Sequence, residues 1–435
     1  MKDALQKAKL YRHFTARGWY ALPEIPVFYK GGLLDTRRLI TDVDMLALRP
    51  SQTLEWELVL GDCKTLKEHS PANRAVWLRG LMAHFSARSG IIILKRRPID
   101  QDHKLFASSF GVTLLDEQEF EHYDRALIYP EGSSAIESTL TEHQLVRSLH
   151  EKYPRLQPFI DYLFALAWNE GELLSLIRRV IGESRNVAKE IDPRNSSHLG
   201  LVLEATGVFA VGLARCVGII FNQFRQLQSQ AKLDDGLRIL IWGGREQYNF
   251  FAKLRTEMVL SKGKESDAGL TLPEWDRFIE LVREMLECPS LCFELPQLLR
   301  EASACVIKES SFLPSVSASR LLLLKYGMLT VKYVCRAGNF PPDTERTLIR
   351  LFVQKQSQLV HLKDSDISSS RVTKDHIRVN KEQELKADVK PAVEALPGEV
   401  TMKNDSSITT TDNAAIPASE SEKKQIDLPV EFVVE

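Results

Sequence analysis

Two strand-like runs stand close together near the start of the chain, Leu39–Leu48 and Leu54–Cys63, with Arg49-Pro50-Ser51-Gln52 between them. A break this short, carrying Pro and Ser, has no room for a helix, so the two runs must turn back on each other as a hairpin. Side chains alternate along a strand, so Asp62 and Lys64 share one face and Cys63 takes the other, and the hairpin can bring Asp44 alongside them.

Around this hairpin the apolar spacing predicts an α/β unit. Leu5, Ala8, Leu10, Tyr11 and Phe14 recur near the helical period within 2–17, and Gly18 stops the run. A loop with Pro23, Pro26 and Gly31-Gly32 follows. Beyond the hairpin come a helix over Arg74–Ser86 with Asn73 as its N-cap, a buried strand over Ile91–Leu94, a helix over Lys104–Ser109 and a strand over Phe110–Leu115. The order is helix, strand pair, helix, strand, helix, strand.

From about Ser138 to Leu362 the pattern is all-α, with helical periodicity over Phe159–Val180, Leu201–Leu227, Trp275–Leu286, Leu295–Ile307 and Ala318–Val334. Thr271-Leu272-Pro273-Glu274 offers a capping box, Pro341-Pro342-Asp343-Thr344 opens a further helix, and Leu237–Trp242 reads as a strand or a helix end. Beyond Lys363 the chain is rich in Ser, Thr, Asp, Lys and Glu, too polar to offset the entropy of ordering, with a short apolar run at Leu428–Val434. Three segments are expected: an α/β domain over 1–122, an all-helical domain over 138–362 and a disordered tail over 363–435.

A length of 435 residues suits two folded domains plus a tail, and 44% hydrophobic with 26% charged residues is ordinary for a globular chain. The net charge of -1 conceals an uneven distribution: residues 1–113 hold 18 Lys and Arg against 11 Asp and Glu, a balance that suits a polyanionic partner. The six scattered cysteines are expected as buried thiols in a reduced, cytoplasmic setting, and the close pair Cys288 and Cys292 lacks a second pair to complete a zinc site. Leu201–Phe221 is nearly long enough to span a bilayer, but Glu204 and Arg215 interrupt it, so it is expected as a buried core helix. No glycine-rich phosphate loop of the nucleotide-hydrolase type is present.

Hydrolysis of a phosphodiester at neutral pH calls for a divalent metal held by oxygen ligands and a cation near the attacking water. Asp44, Asp62 and Lys64 can supply these, with the backbone carbonyl of Cys63 as a further ligand. Asp44 followed by Asp62-Cys63-Lys64 resembles the PD-(D/E)xK pattern of the restriction-endonuclease-like superfamily. Thr41-Asp42-Val43-Asp44-Met45-Leu46-Ala47 is similar to the segment around the first catalytic Asp of Holliday-junction resolvases and Mrr-type enzymes, and Gly111–Asp116 resembles their last core strand. The resemblance covers residues 1–122. It implies a restriction-endonuclease-like α-β-β-β-α-β core, dependence on Mg²⁺ or Mn²⁺, and an endonuclease acting on DNA or a related nucleic acid, in host defence or repair.

Members often carry a Glu on the first helix as another metal ligand; here that helix has only Asp3, with Glu24 in the loop after it, and Asp42 is an alternative ligand to Asp44. The plain reading of Asp62 and Lys64 is a surface ion pair. Arg74 and Arg79 on the next helix, and Lys95-Arg96-Arg97 after the buried strand, are candidate nucleic-acid contacts or solvated charge. His69, His84 and His103 have no partners at ligand spacing, and Trp77 and Phe85 belong to the helix's apolar face. Two other functions compete with the nuclease: a nuclease-fold module that binds nucleic acid without cutting it, and a helical scaffold for protein partners or self-association.

Overall fold

The chain begins with helix α1 (Ala4–Thr15) and then three strands, β1 (Tyr20–Lys30), β2 (Arg37–Pro50) and β3 (Trp56–Lys64). Helix α2 (Pro71–Phe85) leads to β4 (Ser89–Leu94), α3 (Gln101–Ser109) to β5 (Val112–Asp116), and α4 (Glu117–Ala126) closes this part. The computed structural model describes residues 3–30, 37–64, 70–95, 98–126, 140–169, 171–224, 229–260, 270–309 and 318–358. The expected tail over 363–435, and its closing apolar run, lie outside the described residues.

The five strands form one mixed sheet in the order β1-β2-β3-β4-β5. β1, β2 and β3 are antiparallel, whereas β3, β4 and β5 are parallel, each parallel step crossing through a helix, α2 and then α3. Both faces are covered, which is why the β4 run Ile91–Leu94 is apolar throughout: Ile91 and Ile93 join Leu10, Tyr11, Phe14 and Phe120 on the α1/α4 face, while Ile92 and Leu94 join Leu78 and Met82 of α2 on the other.

The first strand overturns the loop expected after α1. Pro23 and Pro26 argue against a central strand, but β1 is the sheet edge and pairs only with β2, so its missing N–H groups cost the ladder nothing on the outer side. That outer edge is covered by Asn169 of the helical part, whose side chain accepts from Phe28 N–H at 3.1 Å and donates to the Pro26 carbonyl at 2.8 Å. Three smaller corrections follow. Asn73 is not the cap of α2, which starts at Pro71 after Ser70. Leu5 and Ala8 are exposed on α1, whose buried stripe is instead Lys7, Leu10, Tyr11 and Phe14. Past β5 the acidic run Glu117–Asp124, for which the sequence predicts no element, is helix α4, with its Phe120 buried.

The remainder is helical: α5 (Leu140–Arg147), α6 (Leu149–Lys152), α7 (Gln157–Phe164), α8 (Ser175–Val187), α9 (Ser196–Phe224), α10 (Gln230–Ile241), α11 (Arg245–Leu260), α12 (Trp275–Met285), α13 (Pro289–Cys292), α14 (Leu295–Lys308), α15 (Ala318–Ala337) and α16 over 342–358. The single helix expected over Phe159–Val180 is split between α7 and α8, because Asn169 turns out to the β1 edge and Gly171 adopts the left-handed region at φ 73°. Leu237–Trp242 is the end of helix α10. The capping box at Thr271–Glu274 does not form: α12 begins at Trp275, after Glu274 at φ 58°.

Helix α9 is long and apolar enough to cross a membrane, and 89% of its apolar window is buried inside the protein. The two charges that interrupt it are paired: Glu204 with Arg300 of α14 at 3.0 Å, and Arg215 with Glu55 at 2.8 Å. Cys63, Cys216, Cys292, Cys305 and Cys335 are buried free thiols and Cys288 is half-buried. Tyr20, Leu22, Leu46, Leu48 and Trp56 of the sheet share one hydrophobic cluster with residues of α7, α8, α9 and α14, so the helical part covers the β1–β2 face that α2 leaves open. Trp56 Nε1 donates to the Val211 carbonyl at 3.0 Å, and Arg300 donates to the Ala21 carbonyl.

Candidate active site at the fork of two strands

Strands β2 and β3 stay paired from Pro50↔Trp56 to Met45↔Gly61 and part at the next residue. There the main-chain donor of Cys63 bonds not to a β2 carbonyl but to Asp44 Oδ2, at 2.8 Å. Asp44 thus sits in the fork, opposite Asp62, where β2 continues with β1 alone. The fork lies at the carboxyl ends of the parallel strands β3 and β4, and the Lys95 N–H, just past β4, bonds to the Lys64 carbonyl at 3.0 Å.

Three cations close on the two carboxylates. Lys64 Nζ is 3.5 Å from Asp44 Oδ2 and 3.9 Å from Asp62 Oδ1. Arg74, in the first turn of α2, grips Asp62 through both oxygens, Nε to Oδ2 at 2.6 Å and the terminal nitrogen to Oδ1 at 2.5 Å, with its guanidinium 3.4 Å from the centre of the Trp77 ring. Lys7 of α1 comes from the other side, its Nζ 2.9 Å from both Asp44 Oδ1 and Glu24 Oε1. Glu24 is set by two features: a left-handed backbone at φ 54°, at a position of the β1–β2 register where pairing lapses, and Arg147 of α5, which donates to its carbonyl at 3.2 Å. A non-glycine residue held there stores about 1 kcal/mol or more.

Both carboxylates are 1% exposed, and their environments push them apart. Burial works to raise the Asp44 pKa, but the Cys63 N–H, Lys7 and Lys64 outweigh it and hold the carboxyl below its ordinary range. Burial raises Asp62 above that range; Arg74 opposes the rise and Asp44 adds to it. Asp44 therefore stays ionised, and Asp62 is the member that takes a proton first. Burial opposes the charge on Lys7, yet Glu24 and Asp44 more than offset it and raise its pKa well above the ordinary lysine value. Burial keeps the Cys63 thiol protonated.

Among the described residues no group of three or more His, Cys, Asp and Glu side chains is gathered to hold a metal ion. The two carboxylates that are gathered carry hard oxygens of the kind Mg²⁺ and Mn²⁺ take. Asp44 Oδ1 is buried and faces the Lys7 ammonium at 2.9 Å. A buried carboxylate oxygen that already faces a cation has the character of a cation ligand.

Asp44, Asp62 and Lys64, separated in sequence, are thus brought together. Arg74 joins them through Asp62 rather than lying on an outer face, Lys95 is half-buried beside Lys64, and Arg79 is exposed on α2. Arg96, Arg97 and His69 lie outside the described residues. Asp42 is exposed on the ribbon beyond the fork, His84 is exposed, His103 is half-buried, Phe85 is core, and Trp77 is half-buried against Arg74. Lys7 is absent from the sequence expectation, and Glu24 enters it only as an acid in the loop after the first helix. A signal for Lys7 was present: it falls three, four and seven residues before Leu10, Tyr11 and Phe14, a lysine on an apolar stripe. Glu24 stands out only as an acid near α1, with nothing in the sequence joining it to Lys7. Comparison with protein-family models finds no match, and neither curated proteins nor solved structures supply one.

Proposed function

We propose that the chain is a metal-dependent nuclease of restriction-endonuclease-like α-β-β-β-α-β build, hydrolysing phosphodiester bonds of DNA or a related nucleic acid with Mg²⁺ or Mn²⁺ as cofactor. The observation that carries this reading is the convergence of Asp44, Asp62 and Lys64 in the strand fork, with both carboxylates 1% exposed. Packing gives no reason to bury two like charges side by side, and such burial is costly unless each is compensated.

Asp44, Asp62 and the Cys63 carbonyl would hold the metal, which when bound supplies a Lewis acid for the phosphoryl oxygen and lowers the pKa of a water. Lys64 is the member of the triad that reaches solvent, its side chain 34% exposed, so it meets the incoming phosphate and orients the attacking water. Arg74 offsets part of the burial that raises Asp62, and is itself braced by Trp77. Lys95, half-buried just past β4, and Arg79, exposed on α2, would contact backbone phosphates.

One observation favours a second reading, a nuclease-fold module that binds nucleic acid without cutting it: Lys7 and Arg74 already engage both carboxylates. The two readings separate in a gel assay on duplex and single-stranded DNA with Mg²⁺, Mn²⁺ or EDTA. Loss of cutting by about 100-fold or more in Lys64→Ala and in Asp44→Asn is the outcome expected of a nuclease. Binding that falls steeply with salt, with no cutting under any metal, supports the module instead.

A further inference from the structure

From the position of Lys7 we infer that this centre carries a built-in cation and takes a single divalent metal ion; the inference rests on the metal-dependent reading above. Glu24 Oε1 and Asp44 Oδ1 converge on one point, each 2.9 Å from it, and the Lys7 ammonium occupies that point. Two carboxylate oxygens facing one point form the kind of ground a second cation would occupy in a two-metal phosphodiesterase centre.

Three features make this occupation permanent. The side chain of Lys7 is 6% exposed and stands on α1, which is anchored to the sheet by Leu10, Tyr11 and Phe14. Its charge balances Glu24 and Asp44, so removing it would leave a half-buried and a buried carboxylate facing each other. Glu24 is in turn held toward Lys7 by its left-handed backbone and by Arg147. Taken with Lys64, Arg74 and Arg147, four cations meet three carboxylates, Glu24, Asp44 and Asp62, and a second divalent ion would have to enter a cluster already rich in positive charge.

Replacing Lys7 by methionine keeps its length and removes the charge, which turns the convergent pair Glu24 and Asp44 into a cation site. Lys7→Arg keeps the charge and should not. Mn²⁺ binding to the full chain, followed by calorimetry and by the loss of the free-ion paramagnetic signal, reads the stoichiometry without reference to cleavage. One ion per chain in the wild type and in Lys7→Arg, and two in Lys7→Met, is the expected result. Two ions in the wild type, or one in a folded Lys7→Met, would overturn the inference, and the wild-type count decides even if the methionine variant fails to fold. Asp62→Ala is expected to weaken the wild-type ion at least about tenfold. No Mn²⁺ bound by the wild type would overturn the metal-dependent reading and this inference with it; one ion with no cleavage of DNA or RNA would leave the inference standing and remove only the nuclease.

Discussion

At the scale of single residues, the charges of this chain are legible by type and spacing but not by partner. Asp44, Asp62 and Lys64 could be picked out because strand alternation and one hairpin suffice to join them. Lys7 and Glu24 could not be joined to them, because their meeting depends on where α1 crosses the sheet and on a backbone at φ 54°. Arg74 was legible as a cation on the right helix, not as the clamp of Asp62, since its reach back to the strand depends on α2 starting at Pro71. A buried histidine gives a residue-scale test with a defined sign. Neither ring nitrogen of His143 finds a hydrogen-bond partner among the described residues, and Phe164 meets the ring edge-on at 4.8 Å. Burial, with Arg300 and Arg147 adding to it, holds its pKa well below the ordinary 6.5. The folded-state pKa is depressed, so this contribution to stability is complete above about 6.5 and is lost as pH falls below that value. His143→Leu should therefore flatten the acid side of the stability curve by about 1.4 kcal/mol per pH unit below 6.5, read from urea melts at several pH values. Equal slopes for the two proteins would contradict this.

At the scale of elements, the strands and helices that carry periodic apolar residues over long runs were recognisable, and the irregular ones were not. β1 was lost because Pro23 and Pro26 disguise an edge strand, and its edge is finished by Asn169, about 140 residues away, a partner that no local window contains. The break between α7 and α8 has the same cause, since the residue that ends the helical run serves the sheet instead. The capping box before α12 was a pattern without its geometry: Glu274 takes a left-handed backbone and the Pro273 carbonyl accepts from the Tyr333 hydroxyl at 3.1 Å. The packing of α1 on the sheet yields an element-scale prediction. A Cβ on Gly61 would lie 2.5 Å from Leu10 Cδ2 and 3.0 Å from Met45 Cβ, so Gly61 is the notch that seats α1. Gly61→Ala must push α1 outward or displace Leu10, at a cost of about 1–3 kcal/mol. Because α1 also carries Lys7, the same substitution should weaken Mn²⁺ binding even where the protein remains folded. A denaturation midpoint and an ion affinity both unchanged from wild type would refute the seat.

At the scale of the whole molecule, the described α/β and helical parts lie within one compact unit and share one hydrophobic cluster, so the fork is built with help from both. Arg300 makes a deeply buried link. Its guanidinium pairs with Glu204 of α9, donates to the Ala21 carbonyl of β1 and lies 3.9 Å from the centre of the Tyr20 ring. Arg300→Leu leaves Glu204 charged and unpaired in the core, so a loss of about 3–5 kcal/mol is expected by thermal or chemical denaturation. Adding Glu204→Leu should recover a large share of it. A loss below about 1 kcal/mol in the single variant would contradict this account of the link between the parts. Whether the fork cuts is read from cleavage of supercoiled and linear DNA and of RNA by wild type and by Asp62→Ala, with Mn²⁺ and with EDTA, after melting curves have shown both proteins folded. Cutting by the wild type with Mn²⁺, abolished by EDTA and by Asp62→Ala, is the result predicted. Cutting by a folded Asp62→Ala at the wild-type rate, or no cutting by the wild type on DNA or RNA, would contradict the assignment of Asp44, Asp62 and Lys64 as a nuclease centre.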